Sequence, residues 1–180
     1  STWNVVSYIL TSVNIFELFA GTAYEYTVEA IHGNGPTGYS ATQTFTTTGT
    51  AMCTSAGQSQ AQEYLAQVWL LNGFNNYSGN NNGYGDFTNI VAPLNRNQLV
   101  QGYLSGLVPY PEYEYYGIWI DYNHDNDFND AGEDVAALYT DFTGLITFNF
   151  TVPANAPLGT ARMRIVMSHE SPATYCGAFA

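Results

Sequence analysis

Apolar and polar residues alternate along much of this chain with a period of two, the pattern of a half-buried β-strand. The alternation is clearest at residues 145–152, where Ile146, Phe148 and Phe150 share one face. Strands are predicted at residues 23–30, 39–47, 63–71, 98–108, 113–121, 134–139, 145–152 and 161–168. Glycine, proline and asparagine separate these short segments. The pattern therefore predicts an all-β protein built from two β-sandwich units.

One of these segments, residues 63–71, fits a helix as well as a strand by its pattern alone. Tyr64, Val68 and Trp69 favour a strand, and no helix cap is evident. Residues 74–87 are rich in asparagine, glycine and tyrosine, which predicts a long loop. A short polar linker at residues 48–52 divides the chain into a first unit, residues 1–49, and a second unit, residues 50–180.

Charged residues make up only 10% of the chain, and the formal net charge is −12. Lysine is absent from the sequence, whose three arginines are Arg96, Arg162 and Arg164. Phosphate binding needs clustered cations, so nucleic acids and anionic membranes are excluded as partners. The sequence has no apolar stretch of about 18 residues, so we expect no direct membrane insertion. The acidic balance indicates either divalent cations as partners or simply an acidic secreted surface.

The two cysteines, Cys53 and Cys176, bracket nearly the whole second unit. A pair that encloses a domain predicts a disulfide bond formed in an oxidising compartment, hence a secreted or cell-surface protein. Closing so long a loop contributes roughly 4–5 kcal/mol in the chain-entropy model. The alternative is a pair of unpaired buried thiols.

Residues 121–133 place oxygen-bearing side chains at alternate positions of a short acidic segment. One tight loop of this kind can wrap a hard cation such as Ca²⁺, which takes six to eight oxygen ligands. Asp121, Asn123 and Asp125 match positions one, three and five of an EF-hand-like loop. The predicted Ca²⁺ ligands are Asp121, Asn123, Asp125, Asp127 and Glu133.

This acidic segment departs from an EF-hand in two respects. Asn126 stands where that loop has glycine, and asparagine tolerates the left-handed backbone better than most residues. Strand-like residues flank the loop, so we expect no helix-loop-helix and no sensor-type opening. The alternative is a solvated acidic loop of Asx turns, but five carboxylates within 13 residues repel one another unless a cation is present.

Part of the first unit resembles the second half of a fibronectin type III domain. The resemblance rests on Leu18-x-x-Gly21-Thr22-x-Tyr24, the alternating residues up to Ala30, and Phe45-Thr46-Thr47 at the end of the last strand. It implies a β-sandwich whose first strands come from another part of the chain or from a partner. Strand exchange with neighbouring subunits is therefore a further expectation, because unpaired strand edges template pairing with other chains.

The second unit resembles the GEVED domain of secreted and surface bacterial proteins, many of them from Bacteroidota. The matching motifs are Asn76-Tyr77-Ser78-Gly79, Gly83-Tyr84-Gly85-Asp86-Phe87-Thr88, Trp119 to Glu133, Val152-Pro153, Gly159 to Met167 and Cys176-Gly177. The stretch for which the family is named would follow Ala180, so the resemblance implies a unit that lacks its last strand. It also implies a β-sandwich accessory module on a large protein such as an adhesin or a peptidase.

These observations leave two functions open. The first is a non-catalytic, calcium-binding structural or adhesive module; the second is a carbohydrate- or protein-binding accessory module of a secreted hydrolase or peptidase. The tyrosine-rich segment at residues 110–119 fits either a sugar-stacking surface or a core. Its aromatic residues are Tyr110, Tyr113, Tyr115, Tyr116 and Trp119. We predict no enzyme within the chain itself, because its histidines lack zinc-protease spacing and no nucleophile–base pair is evident.

Overall fold

The computed structural model describes residues 15, 18, 21–32, 35–49, 51–58, 63–108, 113–140, 144–169 and 171–179. Over these residues the regular structure is entirely β, which confirms the predicted all-β class. A search of the described residues for a helix able to cross a membrane found none. The residues separate into two compact units, Ser1–Thr48 and Gly49–Ala180.

The strands are β1 (Ala23–Tyr26), β2 (Glu29–His32), β3 (Gly35–Tyr39), β4 (Gln43–Thr46), β5 (Ser55–Gly57), β6 (Tyr64–Leu70), β7 (Asn75–Tyr77), β8 (Leu99–Leu107), β9 (Glu114–Asp121), β10 (Asp134–Thr140), β11 (Leu145–Thr151), β12 (Arg162–His169) and β13 (Gly177–Phe179). Residues 63–71 thus contain a strand and not a helix, as predicted. The predicted loop at residues 74–87 is wrong in one detail, since β7 pairs with β6 there.

The first unit contains two antiparallel pairs, β1 with β4 and β2 with β3. The predicted single strand over residues 23–30 is interrupted, because Val28 leaves the ladder and exchanges hydrogen bonds with Ser40. The predicted strand over residues 39–47 is likewise divided between β3 and β4. Tyr24 lies opposite Phe45 across the β1–β4 pair, and their rings stack with centroids 5.7 Å apart.

The second unit is sandwich-like. A four-stranded antiparallel sheet, in the order β11-β8-β6-β7, faces a three-stranded antiparallel sheet, in the order β10-β9-β12. The core between them draws on both sheets, because alternate residues of each strand point inward. Its buried members are Val68, Leu70, Val100, Leu104, Tyr116, Ile118, Ile120, Ile146, Phe148, Phe150, Val152 and Ala156.

A smaller hydrophobic cluster covers the outer face of the three-stranded sheet. Trp119, Phe128 and Val166 form its buried centre, and Tyr175 packs against it. The disulfide bond between Cys53 and Cys176 lies nearby and confirms the predicted pairing, with Cα atoms 5.7 Å apart. Two strands that the sequence did not reveal, β5 and β13, pair in parallel beside this bond.

Arg164 fastens the two ends of the unit to this outer face. Its guanidinium donates hydrogen bonds to the carbonyl oxygens of Cys53, at 2.9 Å, and of Tyr175. The guanidinium carbon also lies 5.2 Å from the centre of the Phe128 ring, within reach of a cation–π contact. The face is therefore covered by segments that lie far apart in sequence.

Candidate metal site in the hairpin loop

The predicted acidic loop joins β9 to β10 at one end of the three-stranded sheet. Asp121 is the last residue of β9, and Glu133 directly precedes β10. The amide of Ile120 donates to the carbonyl of Glu133 at 2.9 Å, which closes the hairpin ladder beneath the loop. Both predicted ends of the ligand series are therefore held by the rigid sheet.

Two carboxylates of the loop are buried, Asp121 and Glu133, each with 2% of its surface exposed. Asp121 accepts hydrogen bonds from the amides of Asp125, at 3.2 Å, and Asn126, at 3.1 Å. Glu133 accepts from the amide of Tyr122 through Oε1 at 2.9 Å. These bonds stabilise the charged forms and draw the backbone of the loop around the two carboxylates.

Burial raises the pKa of Asp121 and of Glu133, because removal from water disfavours the charged form. The negative charge of Asp125 also raises the pKa of Asp121, and the charge of Asp121 raises the pKa of Glu133. The amide hydrogen bonds lower both pKa values. Among the described residues, no hydrogen-bond partner reaches the buried Oε2 of Glu133. Burial and the charge of Glu133 raise the pKa of the Tyr122 hydroxyl to about 12.

A second, more exposed layer of carboxylates lies outside this buried pair. One oxygen from each of Asp125, Asp127 and Asp130 falls within 4.8 Å of the others. The side-chain amide of Asn123 donates to Asp125 at 3.0 Å and to Asp130 at 2.6 Å. Short Asx turns order the layer locally, since Asp125 accepts from the amide of Asp127 at 3.1 Å.

The backbone of the loop uses left-handed conformations, as predicted for Asn126, whose φ is 69°. His124 also adopts a positive φ, 64°, which the sequence did not indicate. Gly132 has φ 93° inside a tight turn closed by the amide of Glu133 and the carbonyl of Asp130. This turn directs the chain back toward its start and brings Asp130 against Asp125.

Two aromatic contacts attach the loop to the body of the unit. Phe128 is 3% exposed and belongs to the outer-face cluster with Trp119. Tyr175 meets the Phe128 ring edge-on, with centroids 5.9 Å apart, and its hydroxyl donates to the side chain of Asn129. The acidic loop is thus packed against the disulfide-linked end of the chain.

The predicted ligands occupy two layers. Asp121 and Glu133 form the buried layer, Asp125 and Asp127 belong to the outer one, and the Asn123 amide bridges within the outer layer. Asp130 joins the outer layer but is missing from the predicted ligand set. The turn sequence Asp130-Ala131-Gly132-Glu133 was the available signal, because glycine at its third position favours a tight turn.

The aromatic residues of the tyrosine-rich segment are divided by the structure between the interior and the surface. Tyr116 and Trp119 are buried, at 2% and 5% exposure, and belong to the two hydrophobic clusters. Tyr113 and Tyr115 lie on the outer face beside Tyr139, with ring centroids 4.8 Å and 4.4 Å from the Tyr139 ring. Tyr110 lies outside the described residues.

This geometry defines a class of domain: an all-β, sandwich-like unit with an acidic hairpin loop and a disulfide bond between its ends. Residues 115–180 match the family model of the GEVED domain. The match includes the whole acidic loop and runs from β9 through β13. No curated protein and no solved structure matches the chain. The fibronectin type III resemblance of the first unit and an origin in Bacteroidota stay predictions.

Proposed function

We propose that this chain is a calcium-binding, non-catalytic accessory module of a larger secreted or cell-surface protein, with a structural or adhesive role. The observation that carries the proposal is the buried carboxylate oxygen Oε2 of Glu133, which has no hydrogen-bond partner within the described residues. A buried charge is costly unless it is paired or coordinates a metal. A bound dication would supply the missing partner.

The donor set of the loop fits Ca²⁺. Carboxylate and amide oxygens suit a hard cation, and Ca²⁺ accepts six to eight of them in flexible geometry. Asp121 and Glu133 would contribute from the buried layer, and Asp125, Asp127 and Asp130 from the outer layer. Asn123 would contribute through its Oδ1 atom, which in the structure accepts from the amide of Asp125 at 3.1 Å.

Three further observations support an extracellular accessory module. The GEVED match suggests a module of a larger protein. The disulfide bond suits an oxidising compartment. The net charge of −12 suits solubility there.

Calcium would also neutralise repulsion within the loop and hold Phe128 against Trp119, which would stiffen the outer face.

The test is thermal unfolding of the full chain in Ca²⁺ and in EDTA. Calcium at a hundred times its dissociation constant adds about 2.7 kcal/mol of stability. For a unit of this size that amounts to an increase in Tm of about 10 °C. Magnesium should give a much smaller increase, because it demands octahedral geometry at shorter distances.

Matched variants locate the effect. Glu133→Gln should abolish most of the calcium-dependent increase, whereas Asp134→Asn, which removes an exposed carboxylate one residue later, should leave it unchanged. Superimposable melting curves in Ca²⁺ and EDTA would contradict the proposal. So would a Glu133→Gln variant that binds calcium as tightly as the parent chain.

A carbohydrate-binding role is the second candidate, and one observation supports it. Tyr113 and Tyr139 are 53% and 55% exposed and stack on each other at the far end of the outer face from the acidic loop. Exposed tyrosine rings offer apolar surface with a polar hydroxyl, which suits sugar rings. Glycan-array binding that disappears in Tyr139→Ala would support this role. Strand addition by a neighbouring subunit stays a prediction.

A further inference from the structure

A second group of metal-ligating side chains lies at the opposite end of β9 from the acidic loop. Glu63 directly precedes β6, Glu114 begins β9 and His169 ends β12. One ligand atom from each of the three lies within 4.8 Å of the others. Glu114 and Asp121 are the first and last residues of β9, so seven steps along the extended strand place them about 23 Å apart. The two groups are therefore independent.

Sheet register creates this second group. Glu114 and His169 are direct partners in the β9–β12 ladder, and Nδ1 of His169 lies 3.1 Å from Oε1 of Glu114. Glu63 comes from the other sheet, next to Tyr64, the first residue of β6. The three side chains thus meet where the two sheets face each other at an open end of the sandwich.

The hydroxyl of Tyr116 provides an independent indication of a ligand. Tyr116 is 2% exposed, follows Glu114 on the same face of β9, and has no hydrogen-bond partner for its hydroxyl among the described residues. Burial raises the pKa of this hydroxyl first, and the nearby charges of Glu114 and Glu63 raise it further. A buried hydroxyl without a partner is costly.

No arginine pairs with the carboxylates at this end of the sandwich in the described part of the chain. The chain has three arginines and no lysine. Arg96 and Arg164 bind backbone carbonyls elsewhere, and Arg162 lies at the other end of β12, opposite Asp121. Glu114 pairs instead with His169, whose ring is charged only when it is protonated.

We propose that Glu63, Glu114 and His169 form a second metal site, selective for Zn²⁺ over Ca²⁺, that joins the two sheets of the sandwich. An imidazole nitrogen with two carboxylate oxygens suits zinc, which prefers four ligands at about 2.0–2.2 Å. Ligand atoms around such an ion lie about 3.3 Å apart, close to the His169–Glu114 separation. The Tyr116 hydroxyl or a water completes the fourth position. Calcium prefers an all-oxygen shell with more ligands.

The competing interpretation is a hydrogen-bonded triad without metal. In that state Glu114 is partly protonated at neutral pH, because burial and the charge of Glu63 raise the pKa of Glu114 to about 7. A metal site predicts that the chain binds zinc through these three side chains, and a metal-free triad predicts that it does not. A zinc titration therefore separates the two interpretations directly.

The experiment is calorimetric titration of the untagged, chelator-stripped full chain with Zn²⁺, in the presence of excess Ca²⁺ to occupy the acidic loop. We expect one equivalent of zinc to bind with micromolar affinity or better. His169→Gln and Glu63→Gln should each weaken binding at least tenfold. The matched controls His124→Gln and Asp125→Asn, which alter the acidic loop, should bind zinc as the parent chain does.

Several outcomes would overturn the proposal. These are the absence of zinc binding in the parent chain, binding unchanged in both His169→Gln and Glu63→Gln, and binding lost only in the acidic-loop variants. Glu63 is only partly buried, so its substitution tests the site even where a buried variant such as Glu114→Gln fails to fold. Circular dichroism of each variant identifies a folding failure before the titration.

Discussion

The most direct test of the packing on the outer face is the substitution of Gly117 by alanine. Gly117 lies two residues before Trp119 on the same face of β9, and the indole ring covers it. A Cβ atom added at Gly117 would lie 2.0 Å from Cη2 of Trp119 and 2.6 Å from Cζ3. The absence of a side chain at residue 117 is thus what allows Trp119 to lie flat on the sheet.

The expected cost follows from the room available to the ring. Carbon atoms in contact lie about 3.5–4.0 Å apart, so the ring must move by roughly 1.5 Å or more. Trp119 is 5% exposed and confined by Phe128 and Tyr175, so such a shift disturbs the whole cluster. Overpacking of this kind costs about 1–3 kcal/mol, and expulsion of the indole would cost about 3–5 kcal/mol.

Urea unfolding followed by circular dichroism measures this loss, and we expect about 2–4 kcal/mol for Gly117→Ala. Gly57→Ala is the matched control, because its added Cβ would meet Gly83 at an ordinary 3.4 Å. That variant should stay within about 0.5 kcal/mol of the parent. In a Trp119→Leu background the cost of Gly117→Ala should largely disappear. Equal stability of Gly117→Ala and the parent chain would refute the argument.

Two further variants test what holds the ends of the second unit. Replacement of both Cys53 and Cys176 by serine opens a loop with a sequence separation of 123, and roughly 5 kcal/mol of stability should be lost. A loss below about 1 kcal/mol by urea unfolding would contradict the chain-entropy estimate. Arg164→Gln removes charge-assisted hydrogen bonds to the Cys53 and Tyr175 carbonyls and should cost about 2–3 kcal/mol. Substitution of the exposed Arg162 by glutamine is the control. Equal losses of stability in the two variants would contradict a specific role for the Arg164 hydrogen bonds.

The strands of the second unit that alternate over seven or more residues were predictable from sequence. In β11, Ile146, Phe148 and Phe150 are buried and their neighbours are exposed, because one face of the strand packs on the core. The short parallel pair of β5 and β13 was not predictable. Each strand has three residues, and their pairing depends on a disulfide bond that joins distant segments.

The acidic loop was likewise predictable from sequence, whereas the second metal group was not. The loop could be found because its order is local: Asp125 binds the amide of Asp127, and Asp127 binds that of Asn129. Glu114 and His169 are 55 residues apart in sequence and meet only through the β9–β12 register. No spacing rule reveals such a group before the strand order is known.

The linked ends of the second unit determine how it responds to a pulling force. A force that enters at residue 53 and leaves at residue 176 passes through the disulfide bond. The intervening chain, with a sequence separation of 123, carries no tension. Fully stretched, that segment would measure about 400 Å. While the bond is intact none of this length can be released, so the unit acts as an inextensible link under load.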